Sequence, residues 1–383
     1  MSFATWKNCI TFLLLAILLL LSWVHLIEHF NSVQPKLLTN FTLITRTEDT
    51  TIQYENETLN IILLWSDATL YPFNLFGTGS KVFQKYKCAF QNCYVTAKRN
   101  YFGGDLTKFD AIAFNGRHLN ANDIPNRRLP NQNYIYVNTE SADNYPVCSD
   151  VFDNFFNMTA TYRLDSDLPF QYLDVQDKKG NVIGPKVDMI WKTSSKTLNV
   201  SEVFKKTKAV AWFVMAYAKK LQAALKPYGY TLDIIGSCGT MKCPIHDTAI
   251  CDAILRNEYY FYFSAENSIC FDYITEKVLK AMLNDMIPIV YGGADYNRFL
   301  PPHSYLDAQA QSPEELAALI AELIKSPKMY RRYFGWKAFY EYNPTGSAQF
   351  CAVCEAINKH HKNVYHNFRS WWHTKYQKFG KKL

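Results

Sequence analysis

From Asn8 to Ile27 the chain runs for 20 residues without Asp, Glu, Lys or Arg, the length one helix needs to cross a bilayer. A cleaved signal peptide is the competing reading, but such a peptide has an apolar run of only ~7–15 residues. The run here is longer, and Ser22-Trp23-Val24-His25 is a poor cleavage site. Lys7 before the run and Glu28 after it predict a cytosolic tail over 1–7, a signal-anchor over 8–27 and a lumenal body. Residues 28–57, polar and rich in Thr and Asn, read as a stem.

Beyond the stem, short apolar runs recur between polar stretches. They are Leu59–Trp65, Ala111–Phe114, Tyr134–Val137, Ala209–Val214, Tyr259–Phe263 and Ile287–Tyr291. Runs of this length with little alternation predict strands buried on both faces, as in parallel sheets. Helical patterns lie between them. In Ser312–Lys325, Ser312 is placed to cap, Pro313 fits the first turn, and Leu316, Leu319, Ile320 and Leu323 form one apolar face. A second helix is predicted from Asp272 through Leu283. The alternation implies an α/β architecture, and Trp191–Lys208, without apolar periodicity, is the best boundary between two domains.

At 383 residues the chain has room for an anchor and two domains of ordinary size. Its net charge of +7 comes from 41 basic and 34 acidic residues mixed along the sequence, so no nucleic-acid partner is indicated. Sequons at Asn40, Asn56, Asn157 and Asn199 agree with lumenal exposure. The ten cysteines include the close groups Cys88/Cys93, Cys238/Cys243/Cys251 and Cys351/Cys354, which an oxidising compartment turns into disulfides. Zinc is the competing reading of Cys351-Ala-Val-Cys354, although a second ligand pair at matching spacing is missing.

The densest polar signal is Ala265-Glu266-Asn267-Ser268, after one predicted strand and just before the helix carrying Tyr273, Glu276 and Lys277. Ligands of open α/β sheets bind beyond the carboxyl ends of strands, where helix N-termini attract phosphate. Lys277 can face a diphosphate there, with Glu276 and Asn267 accepting from ribose or sugar hydroxyls. The alternative is an ordinary solvated first turn.

Phe261-Tyr-Phe-Ser-Ala-Glu-Asn-Ser268 followed by Asp272-Tyr-Ile-Thr-Glu-Lys277 resembles the signature block of the α1,3-fucosyltransferases, glycosyltransferase family 10. Pro288–Gly293 and Asn297–Pro302 continue the resemblance, and Thr161-Tyr-Arg-Leu-Asp-Ser-Asp167 is similar to a further family motif. The resemblance implies a GT-B fold, two Rossmann-like domains with a cleft between them: an acceptor side over 58–195, a donor side over 205–345, and a C-terminal segment over 346–383. It implies GDP-fucose as donor, bound by Glu266, Asn267, Tyr273, Glu276 and Lys277, and a glycoprotein glycan as acceptor. It implies no metal site and no essential cofactor, a divalent cation being at most stimulatory, so Asp165 and Asp167 are given a structural role near Arg163. It also ties Cys351 and Cys354 back to Cys88 and Cys93, and places the enzyme in the Golgi membrane as a single-pass type II protein.

Inverting transfer needs a base for the acceptor hydroxyl, and the position resembling the family's base is Glu140 in Tyr136-Val-Asn-Thr-Glu-Ser141. Lys277 stabilises the leaving group in the same picture. One departure stands out. Family members usually carry an Arg that reaches the donor phosphates after the strand matching Ala209–Val214, whereas here Lys219 and Lys220 are the donor-binding cations in its place and lack the bidentate fork. A catalytically weak glycan-binding homologue is therefore the alternative, and a related enzyme using another nucleotide sugar is a third reading.

Overall fold

The computed structural model describes residues 59–192, 206–212, 216–234, 248–346, 348–360 and 363–374. The expected signal-anchor and stem, Asn40, Asn56, Asn199 and most of the expected domain boundary lie outside them. Among the described residues no helix is long and apolar enough to cross a membrane.

Six parallel strands form the first sheet: β1 (Asn60–Leu64), β2 (Cys93–Thr96), β3 (Ala111–Asn115), β4 (Asn133–Asn138), β5 (Met158–Thr161) and β6 (Leu168–Pro169), in the order β2-β1-β3-β4-β5-β6. Strand β1 shows why the sequence reads as continuously apolar. Ile61 and Leu63 enter the core on one face, Ile62 and Leu64 the core on the other. Burying such side chains contributes about 1.5–3 kcal/mol each.

The chain then forms β7 (Leu173–Asp177) and β8 (Val182–Gly184) before entering a second parallel sheet of β9 (Lys208–Trp212), β10 (Leu232–Ile234), β11 (Tyr259–Ala265), β12 (Ile287–Tyr291) and β13 (Leu306–Asp307). Its order, β10-β9-β11-β12-β13, repeats the pattern of the first five strands. Strand order thus reverses between β1 and β3 and again between β9 and β11, the places where open α/β sheets receive ligands. A last strand, β14 (Tyr340–Pro344), pairs antiparallel with β7, and β7 with β8. This small sheet, which joins late chain to early chain, was not expected from the sequence.

All six predicted strands are present, and the helix Pro313–Lys325 begins with a full capping box between Ser312 and Glu315, worth about 1 kcal/mol. The other predicted helix differs. It spans Glu276–Leu283, not Asp272–Leu283, with Asp272 in the left-handed region at φ 55° and Thr275 extended. Asp272 is held there by Leu164 N–H and Arg298, so the segment before the helix follows its partners and not its helical periodicity.

The C-terminal chain returns to the first sheet. Helix Ala348–Asn358 packs Phe350, Val353 and Ile357 into one core, and Phe368 and Trp372 of helix Phe368–Trp372 pack on Tyr136 in the other. Disulfides Cys88–Cys351 and Cys93–Cys354 close spans of 263 and 261 residues, so the zinc reading of the CxxC is overturned. Asp165 pairs with buried Arg163, and Asp167 accepts from Thr159 and Tyr365, the structural role expected of both. The Asn157 side chain is also engaged, accepting from Tyr134 N–H and donating to the Asn363 carbonyl.

One buried amine stands apart from all this. Lys206 donates to the carbonyls of Tyr259 (2.8 Å) and Asp285 (2.6 Å), and burial brings its pKa down from 10.5 to about 7. Between those two values the unfolded chain binds more protons than the folded one, so stability rises with pH across that window and is lost below about 7. Against Lys206→Met, the wild type is expected to gain up to about 1.4 kcal/mol per pH unit from neutral towards alkaline conditions. Urea unfolding of both proteins at several pH values checks this; a constant difference contradicts it.

Candidate active site

Strands β3 and β4 end in the same local device. Asn115 Oδ1 accepts from Arg117 N–H and Asn138 Oδ1 accepts from Glu140 N–H, each at 3.0 Å, turning the chain as soon as the strand stops. Asn115 lies opposite Val137 in the sheet, so the two turns are neighbours. Arg117 Nη2 reaches Glu140 Oε1 at 2.6 Å. Gly116, between Asn115 and Arg117, has no room for a side chain, since an added Cβ would meet Tyr136 Oη at 2.6 Å and Asn138 Cβ at 2.8 Å.

On the second sheet, Glu266 follows β11 and is 2% exposed. Its carboxylate accepts from Thr275 N–H (2.9 Å), Thr275 Oγ1 (2.7 Å) and Lys277 Nζ (3.3 Å). Lys277 also donates to Thr275 Oγ1 at 2.9 Å and lies 3.4 Å from Glu276, whose carboxylate is exposed. Gly293, two residues after β12, must be glycine, because an added Cβ would lie 2.5 Å from the Cys270 carbonyl oxygen. That close pass sets the path of the chain between Glu266 and Thr275.

The two strand ends meet. Tyr273 Oη donates to Glu140 Oε2 at 3.0 Å across 133 residues of sequence, and Ser141 and Ser268 hydroxyls lie 2.7 Å apart beside it. Tyr172 Oη donates to the Thr139 carbonyl at 2.9 Å. Burial raises the Tyr273 phenol far above its ordinary range, and Tyr172 and Glu140 nearby add to this, so it remains a donor. Burial likewise raises Glu266. For Lys277, burial works to lower its pKa, but Glu266 and Glu276 outweigh it and hold the ammonium above its usual value.

Of the residues expected at the site, Glu140 and Tyr273 touch each other, and Glu266, Glu276 and Lys277 form one cluster. Asn267 is exposed next to that cluster. Lys219 and Lys220 are exposed on helix Ala216–Leu225, away from its buried Ala218, Leu221 and Leu225, and among the described residues no hydrogen bond joins them to the cluster. Arg117 and Tyr172 were not anticipated. The signal for Arg117 was present as an Asn two residues before a charge at the end of an apolar run, in Asn115-Gly-Arg117 as in Asn138-Thr-Glu140. Among the described residues there is no cluster of His, Cys, Asp and Glu able to hold a metal.

Two parallel sheets, with a carboxylate after a strand of one and a lysine-bearing helix start after a strand of the other, define an α/β protein with a polar junction between strand ends. Two family profiles match the chain: "Fucosyltransferase, N-terminal" over residues 57–173 and "Glycosyltransferase family 10 (fucosyltransferase) C-term" over residues 203–371. The chain belongs to glycosyltransferase family 10, the fucosyltransferases. It is 34% identical over 304 residues to alpha-(1,3)-fucosyltransferase C of Drosophila melanogaster, covering 75% of this chain and 69% of that protein. It is 31% identical to glycoprotein 3-alpha-L-fucosyltransferase A of the same organism, over 82% of this chain and 60% of that one. To 4-galactosyl-N-acetylglucosaminide 3-alpha-L-fucosyltransferase 9 of Bos taurus it is 28% identical, over 83% and 82%. A solved α1,3-fucosyltransferase structure with GDP-fucose covers 83% of this chain and 96% of its own at 14% identity and a TM-score of 0.48, too distant to carry residue positions across.

Proposed function

We propose that this chain is an inverting glycosyltransferase that moves L-fucose from GDP-fucose to a GlcNAc hydroxyl of a glycoprotein glycan in α1,3 linkage. Kinship with the named relatives supports the reaction class. The contact that supports the site is Tyr273 Oη to Glu140 Oε2, which joins the end of β4 to the loop after β11. In this reading the acceptor hydroxyl attacks the anomeric carbon from the face opposite GDP and passes its proton to Glu140. Lys277 lies opposite the departing diphosphate and offsets the charge that develops there. Glu266, Asn267, Tyr273 and Glu276 line the donor side, and Glu266 also holds Thr275 and Lys277 in place. Lys219 and Lys220 supply the charge toward the donor phosphates that an Arg supplies in relatives.

The proposed organisation is GT-B, with residues 58–195 on the acceptor side, 205–345 on the donor side and 346–383 folded back on the former. Residues 8–27 anchor the protein in the Golgi membrane, with the body lumenal. Incubating the purified body with GDP-fucose and GlcNAc-bearing glycans is expected to add one deoxyhexose, read by mass spectrometry, with or without chelator. Product only with another nucleotide sugar would overturn the donor. Glycan binding without product from any donor would favour the weak homologue, the reading suggested by the absence of Arg from Lys206 to Ile234.

A further inference from the structure

We infer that Arg117 is the positioning residue for the general base, committing one oxygen of Glu140 and leaving the other aimed at the acceptor. The inference rests on the reading of Glu140 as the base. Arg117 and Glu140 are set by twin turns at the ends of paired strands, and both turns are locked from behind. Asn115 and Asn138 are buried. Their amides donate to the Tyr71 carbonyl (3.0 Å) and to Tyr136 Oη (3.1 Å). The guanidinium lies between two rings, 4.7 Å from the centroid of Tyr71 and 5.4 Å from that of Tyr145. Its Nε is buried with no acceptor among the described residues. The two rings place the guanidinium, and from there it fixes the Glu140 carboxylate.

The result is a divided carboxylate. Oε1 is taken by Arg117 at 2.6 Å, while Oε2 meets Tyr273 Oη at 3.0 Å and Asn144 Nδ2 at 3.5 Å. An acceptor hydroxyl can bond Oε2 by displacing or sharing these partners, with the plane of the carboxylate still fixed by Arg117. A base misaimed by about 1 Å loses on the order of 10²-fold in rate, which is the scale of what Arg117 contributes.

A double-mutant cycle with Arg117→Met and Glu140→Gln tests this on the purified body. Alone, Arg117→Met is expected to lower kcat by roughly 10–100-fold with KM for GDP-fucose little changed. In the Glu140→Gln background it is expected to cost less than about 3-fold more, because there is no base left to aim. An equal loss in both backgrounds, or no loss in either, overturns the inference. If Glu140→Gln itself is fully active, the base assignment fails first, and that outcome appears at a different corner of the cycle. GDP binding and thermal unfolding verify that each variant is folded. Should Arg117→Met fail that check, Arg117→Lys takes its place in the same cycle; it keeps the charge but not the fork, and is expected to be intermediate in kcat. Wild-type kcat for Arg117→Lys would overturn the positioning role.

Discussion

Glu140→Gln is expected to lower kcat for fucose transfer by about 10²–10⁴-fold while the affinity for GDP-fucose stays near that of the wild type. Glutamine keeps the size of the side chain and one carbonyl oxygen, which Tyr273 can still meet. It loses the capacity to take a proton, and it leaves Arg117 without its anion. Donor affinity changes little because, of the proposed donor contacts, Tyr273 bonds Glu140 and still finds an oxygen in glutamine, while Lys277 is held by Glu266 and Thr275. Steady-state kinetics with both substrates and calorimetric GDP-fucose binding check this. Unchanged kcat, or donor affinity falling in step with activity, removes Glu140 from the role, and Asp143 or Asp105 becomes the next acid to try.

Lys277→Ala is expected to cost ~10²–10³ in kcat/KM, the usual loss when one preorganised electrostatic contact to a developing charge is removed. It is also expected to lower Tm. Lys277 is not simply a surface cation at a first turn: its ammonium is the charged partner of Glu266, whose side chain has no exposure at all. Removing one member of such a pair leaves a buried charge uncompensated, an effect of about 3–5 kcal/mol in comparable sites. Activity and stability are separated by the double variant Glu266→Gln/Lys277→Met, in which the amide keeps bonding Thr275 and no charge is stranded. That variant should regain stability but not rate. Wild-type kinetics in it would exclude Lys277 from the reaction.

Much of this protein is determined by its sequence alone. The apolar runs of β1, β3, β4, β9, β11 and β12, and the Ser312–Glu315 box at the head of its helix, act within a few residues of themselves, so local pattern suffices to find them. The blocks at Thr161–Asp167 and Phe261–Lys277 carry the family, and the resemblance gave the cysteines to be joined across the chain. Tertiary structure alone decided where the second helix begins, because Thr275 is bound by Glu266 nine residues earlier and Asp272 by Leu164 and Arg298. It alone paired β14 with β7, and it alone put Arg117 against Glu140 and Tyr273 against the same carboxylate. Hydrophobic periodicity and caps record which residues face inward and where an element can start. A site is made where strand ends more than a hundred residues apart come within hydrogen-bond distance, and those distances are set by sheet register and packing, which no local window of sequence contains.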